Sequence, residues 1–355
     1  MTVAARVARF RERYGLDVPI VQAPMAGACP PELAIAVAEA GGMGAAGFVL
    51  DQPAAIRDWV RQFREGSSRA FQMNLWIPDP PPRDDGGEDE ARRFLEQFGA
   101  PGEPGGTPPA FDEQCEELLA AAPTAISSIM GVFEPAMVER IHAAGIAWFA
   151  CATTLQEALV AERAGADAVI AQGIEAGGHR GTFDPDAAER TAVGLLALVP
   201  QLADALTVPV VAAGGIADGR TMAAALVLGA SAVQVGTAYL RSPEAGTQRD
   251  WAAGLAAAAP ESSVLTRAYS GRPGRALPTP FVQAWSTHNT PPAQYPVQRR
   301  LVAQWRRGRT NAARSEPGVD AVNHWAGQSA GLARPETATR ITEQLWEDAR
   351  ELLPG

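Results

Sequence analysis

Short apolar runs rich in β-branched residues alternate along the chain with alanine-rich segments whose apolar residues recur at three- and four-residue spacing. The runs begin near Ile20, Met43, Ala70, Thr124, Ile146, Ala168, Pro209 and Ala232. Continuous apolar runs of this length mark strands buried on both faces, and the spacing between them is helical. PPELAIAVAEAGG, TTLQEALVAERAGA and DGRTMAAALVLGA each open on a cap signal and end in or near glycine, which predicts a helix in each. A helix between successive strands returns the chain to the same edge, so the strands are parallel. Most of the runs are 22 to 27 residues apart. Eight such units predict an α/β protein of (β/α)8 TIM-barrel form in preference to an open sheet.

Two intervals are longer. Between Ala70 and Thr124 lie PDPPPRDDGGEDE and PGEPGGTPP, whose proline, glycine and acidic residues predict loop or excursion without a packed core, an insert over residues 78–110. Between Ala168 and Pro209 lies the glycine-rich GIEAGGHRGTF. Both follow strand C-termini, the face on which barrels place their sites. About 115 residues follow the eighth run, more than one closing helix needs. The expected organisation is a barrel over 1–241 and 335–355 with a smaller, mainly helical second domain or lid over 242–334. TATRITEQLWEDARELL is a helix suited to the barrel wall, and the arginine-rich start suits an amphipathic helix closing the barrel base.

Composition narrows the chemistry. With 46% hydrophobic and 20% charged residues the chain is globular, and a net charge of -10 disfavours nucleic acid and anionic membranes as partners. All 30 basic residues are arginine. Schiff-base aldolases, pyridoxal phosphate enzymes and Walker-type NTPases, which need a lysine amine, are thereby excluded. Cys29, Cys115 and Cys151 are few and far apart, which points to a reducing, cytoplasmic setting with neither a disulfide framework nor a metal site. No run reaches the ~18 to 20 apolar residues of a membrane span.

The literal GxGxxG at Gly42 to Gly47 follows a helical pattern and runs on into an apolar strand, the wrong context for a dinucleotide fold. Two later segments better suit an anion. VPVVAAGGIADGRT ends a strand in Gly214-Gly215 before a helix start, and AVQVGTAYL ends one in Gly236-Thr237. Either segment alone can merely shape a turn; occurring together on the seventh and eighth strands, they point to a phosphate held by backbone N–H groups. In DAVIAQGIEAGGHRG, Gln172 can hydrogen-bond a heterocycle, the glycines leave room for a planar ring, and His179 titrates in a range useful for proton transfer. Taken alone, Met25 and Met73 read as core residues and Asn74 as a satisfied buried amide.

VQAPMAG, AAGF, MNLW, AQGIEAGGHRG, VVAAGGIADG, VQVGTAYL, TRAYSGRPGR and HWAGQSAGL follow one another across nearly the whole chain. In that order the sequence resembles the nitronate monooxygenases, formerly 2-nitropropane dioxygenases, within a flavin-barrel superfamily that includes FMN-dependent enoyl reductases and NADH:quinone reductases. The resemblance implies FMN bound through Met25, Asn74, Gln172, Gly177 and Gly178, with its phosphate at Gly214, Gly215, Gln234, Val235, Gly236 and Thr237. It implies His179 as catalytic base. The implied reaction is oxidation of alkyl nitronates, and of nitroalkanes, by O2 to a carbonyl compound and nitrite, by a cytoplasmic monomer or homodimer. The alternatives are an FMN-dependent NAD(P)H oxidoreductase acting on an enoyl thioester or a quinone, and a non-catalytic FMN-binding barrel. The insert at 78–110 and SSIMGVF at 127–133 depart from the family pattern and bear on substrate identity.

Overall fold

The computed structural model describes residues 1–82, 87–289, 291–309 and 320–353. Its strands are β1 (Ile20–Gln22), β2 (Gly44–Gly47), β3 (Phe71–Trp76), β4 (Ala125–Ile129), β5 (Ala147–Ala152), β6 (Ala168–Gln172), β7 (Gly178–His179), β8 (Val210–Ala213), β9 (Ala232–Val235), β10 (Val264–Thr266) and β11 (Gly274–Ala276). Eight of them pair in parallel in the order β1-β9-β8-β6-β5-β4-β3-β2. A parallel bridge between Val21 and Met43 joins the two ends, closing the sheet into a TIM barrel. Each barrel strand lies on one of the eight apolar runs.

Side chains alternate along the strands between two layers, as the two-residue period requires. Ile20, Met73, Leu75, Val169, Ala171, Val233 and Val235 pack outward against the helices. Val21, Phe149, Cys151, Ile170 and Val211 point inward, where the N-terminal helix Val3–Tyr14 brings Phe10 and Tyr14 against them. That helix closes the barrel base, and its C-cap Gly15 at φ 67° ends it in a left-handed turn. The helix Ala338–Leu352 packs on Gly219–Val227 and on Pro31–Glu39, contributing Ile341, Leu345 and Ala349 to the outer layer. No described helix is long and apolar enough to cross a membrane.

The second hydrophobic cluster departs from the sequence reading at the insert. The insert does contribute to a packed core: Gly87–Leu95 is a helix whose Ala91, Phe94 and Leu95 are buried with Phe281, Trp285 and Trp305. Three acids in its first turn and two arginines in its last complement the helix dipole, so the charges that suggested a solvated loop support a helix end. The segment after the barrel adds short strands to its helices. Besides Pro280–Thr287 and Val297–Gly308 it carries β10 and β11, which pair antiparallel with each other and with β7 in a small sheet of their own. This sheet ties the loop after β6 to the second cluster.

Candidate active site

A cavity of about 450 Å³ opens at the C-terminal ends of the barrel strands. Its walls come from the loops after β1, β6, β8 and β9, from the ends of β3 and β4, and from the segment around Trp325. Three glutamines beneath it, Gln22, Gln72 and Gln234, are linked to each other: the Gln72 Nε2 donates to the Gln22 carbonyl at 2.9 Å and to Gln234 Oε1 at 3.2 Å. These bonds tie neighbouring strands together, while Gln72 Oε1 is buried without a partner among the described residues.

The turns after β8 and β9 form one end of the cavity. Gly214 and Gly215 have φ of 118° and 69°, conformations that side chains resist. Among the described residues the N–H groups of Gly214, Gly215, Gly236 and Thr237 donate to no protein acceptor. Unpaired donors clustered beside a helix start are a site for an anion. The C-terminal segment closes on this end: Gly327 N–H donates to Thr237 Oγ1 at 3.1 Å, and Ser329 Oγ donates to the Gly215 carbonyl at 2.7 Å. Gly177 permits this approach, because a Cβ there would lie 2.5 Å from the Gly327 nitrogen.

His179 lies elsewhere on the wall, on β7. Its ring is held between Trp76 and Trp325, with centroid separations of 4.5 and 4.6 Å. Its Nε2 lies 2.7 Å from Ser270 Oγ, and that hydroxyl lies 3.3 Å from the Arg272 carbonyl. When Ser270 gives its hydrogen to that carbonyl it accepts from Nε2–H, and the imidazole lone pair resides on Nδ1. Burial, reinforced by the positive charges of Arg272 and Arg299, pushes the His179 pKa down to about 3. The ring is therefore neutral, with a lone pair available, over the ordinary pH range.

Of the residues singled out in the sequence, Met25, Asn74, Gln172, Gly177, Gly178, His179, Gly214, Gly215, Gln234, Gly236 and Thr237 all line this one cavity. Val235 does not. It follows the inward-facing Gln234 by one residue, so its side chain turns outward into the helix layer, while its carbonyl accepts from Ala23 N–H at 2.8 Å. Gln172 also braces the wall from within, since its Nε2 donates to the His179 carbonyl at 3.0 Å and its Oε1 accepts from Gly181 N–H at 2.8 Å. Both ends of the amide grip the loop that carries His179. The Asn74 Nδ2 is similarly bonded to Ser127, at 3.0 Å to the hydroxyl.

The sequence matches the family description nitronate monooxygenase over residues 10–348. Nitronate monooxygenase from Pseudomonas aeruginosa is 38% identical over 96% of this chain and 99% of its own length. This chain belongs to the nitronate monooxygenase family. Among solved structures, nitroalkane oxidase from Streptomyces ansochromogenes superposes with a TM-score of 0.86 at 35% identity, covering 95% of this chain and 96% of that one. FabK from Thermotoga maritima superposes with a TM-score of 0.74 at 27% identity, covering 97% and 96%.

As a nitronate monooxygenase family enzyme, the chain carries site residues that its motifs did not single out. Trp76 and Trp325 lie within quoted motifs, but nothing in their spacing says that they face each other across His179. Ser270 and Arg272 reach the site from TRAYSGRPGR through the β7–β11 pairing, a ladder of two or three residues with no periodicity to detect. Arg272 is fully buried and takes both oxygens of Asp79, with Nε 2.7 Å from Oδ2. Arg299 belongs to a helix that the sequence pattern left inside an undivided lid.

Proposed function

We propose that the protein oxidises alkyl nitronates, and the nitroalkanes from which they form, with O2 to a carbonyl compound and nitrite, using non-covalent FMN. The observation that carries this reading is an imidazole clamped between two tryptophans in the same cavity as a rim of backbone N–H groups that, among the described residues, meet no acceptor. The rim fits a phosphate in a chain that has no lysine to hold one. Gly214, Gly215, Gly236 and Thr237 would take the FMN phosphate, while Met25, Asn74 and the Gly177–Gly178 backbone would bound the ring system. FMN supplies the electron transfer and oxygen chemistry when bound.

The protein's own contribution is to place a base and an electrostatic field. His179 would take the α-proton of a neutral nitroalkane, and the positive charges that disfavour an imidazolium also favour the anion left by deprotonation. Ser270 holds the imidazole at Nε2 while Gln172 holds the backbone that carries it, and the flanking tryptophans pack against the ring. A nitronate arrives already deprotonated and needs only binding and orientation.

Replacing His179 by Asn separates these roles. At matched flavin content, kcat/KM for a neutral nitroalkane should fall by at least about 10²-fold, and that for its nitronate by much less. Equal losses on the two forms would remove His179 from the role of base. Anaerobic mixing with NADH or NADPH provides the complementary measurement: rapid flavin bleaching by either would replace this reading with an NAD(P)H oxidoreductase.

A further inference from the structure

Arg299 stands apart from the other buried or half-buried arginines of this region. It opens the helix Val297–Gly308, is half-buried and lines the cavity that contains His179. Its guanidinium carbon lies 5.9 Å from the Trp76 ring centroid and 5.4 Å from that of Tyr295. Among the described residues its side chain has one hydrogen-bond partner, the Tyr295 hydroxyl, which accepts from Nη1 at 3.0 Å. No carboxylate of the described residues lies within ion-pair distance of it.

Its neighbours are satisfied differently. Arg272 has Asp79, Arg300 has Glu88, and the buried Arg180 and Arg275 donate to backbone carbonyls. A partly desolvated cation with one neutral partner is costly to maintain, and an anion beside it offsets that cost. Aromatic faces of Trp76 and Tyr295 fix the guanidinium plane and leave the remaining N–H donors for an oxyanion, the ligand class to which the guanidinium fork is best matched.

We infer that Arg299 is the anion-recognition residue of this cavity and selects substrates in anionic form. This rests on the reaction proposed above and specifies which form of substrate the same site admits. The oxyanion is either the nitronate head itself or a carboxylate elsewhere on the same molecule. Trp76 contacts both residues, its ring centroid 5.9 Å from the Arg299 guanidinium carbon and 4.5 Å from the His179 ring centroid.

The test is calorimetric titration of the flavin-loaded protein with sodium nitrate, which has the planar oxygens of a nitronate head, and with sodium propionate, which has a simple carboxylate. Arg299→Met should weaken binding of at least one of them by about 10- to 100-fold, and Arg299→Lys should retain most of it. Loss of nitrate binding assigns the residue to the head group; loss of propionate binding alone assigns it to a remote carboxylate. In turnover, Arg299→Met should reduce kcat/KM for a nitronate by a similar factor, and Arg299→Lys should restore most of it. If Arg299→Met loads flavin poorly, Arg299→Gln preserves a hydrogen bond to Tyr295 and takes its place. Anion affinities unchanged by removal of the charge, or absent from the unmodified protein, overturn the inference. Anion binding that depends on Arg299 in a protein that turns over no nitronate would sustain the inference and defeat the reaction.

Discussion

At the scale of the residue, His179 shows how the surroundings of a side chain decide what it can do. An isolated imidazole titrates near 6.5, whereas here burial and two guanidinium charges take it down to about 3. The pH dependence follows with a definite sign. Between about 6.5 and 3 the unfolded chain binds a proton at this position and the folded chain does not, so acidification through that window favours unfolding. The Tm of the flavin-loaded protein should therefore fall as pH drops below 6.5. His179→Asn should show a shallower fall over the same window, because one group that titrates differently in the two states has been removed. Parallel curves for the two proteins would mean that His179 is protonated in the folded state too. The sequence placed this histidine beside glycines at a strand end. It held no sign of the two tryptophans, which meet at the ring from positions 249 residues apart in the chain.

At the scale of the element, the turn after β8 can be tested against a turn with the same backbone demand elsewhere. Gly215 has φ of 69°, and a Cβ built there would meet Glu175 Cβ at 3.5 Å, an ordinary contact. Gly145, in the turn before β5, has φ of 72° and open space around it. Leucine at either position costs roughly 1–2 kcal/mol of left-handed strain, so both variants should fold with similar losses of stability. Only Gly215 lines the cavity, so only Gly215→Leu should lose most of its flavin, read from absorbance against protein concentration. Full flavin in Gly215→Leu would reduce Gly215 to a turn former. Legibility varies among elements for the same kind of reason. Strands buried on both faces appear as uninterrupted apolar runs, which is why β1 to β6, β8 and β9 could be located from sequence. The strands β7, β10 and β11 hold two or three residues each, and GH or GRA carries no period. The helix Gly87–Leu95 was hidden because four of its nine residues are Gly, Glu or Asp, and the proline-rich flanks dominate the local composition. Its signal was there in Ala91, Phe94 and Leu95 at helical spacing.

At the scale of the molecule, the Arg272–Asp79 pair links three parts that the sequence separates. Asp79 leaves the end of β3 at the start of the insert. Arg272 belongs to the segment that leads into β11, and its Nη1 also donates to the carbonyl of Thr182, in the loop beyond His179, at 3.0 Å. Arg272 is fully buried, so Asp79→Asn would leave a guanidinium charge without its counter-ion in a place water cannot reach. Breaking a buried pair from one side costs about 3–5 kcal/mol. An exposed helical pair such as Arg61–Glu65, with both side chains more than half accessible, contributes little because solvent screens it. Denaturant titrations should therefore show a large loss of stability for Asp79→Asn and almost none for Glu65→Gln, with Asp79→Glu recovering part of the loss. Because Thr182 lies three residues beyond His179, Asp79→Asn should also reduce nitroalkane turnover in the fraction that stays folded. Equal and small losses in Asp79→Asn and Glu65→Gln would show that water or another carboxylate reaches Arg272, and that the end of β3, the loop after β7 and the segment before β11 are joined by their apolar contacts alone.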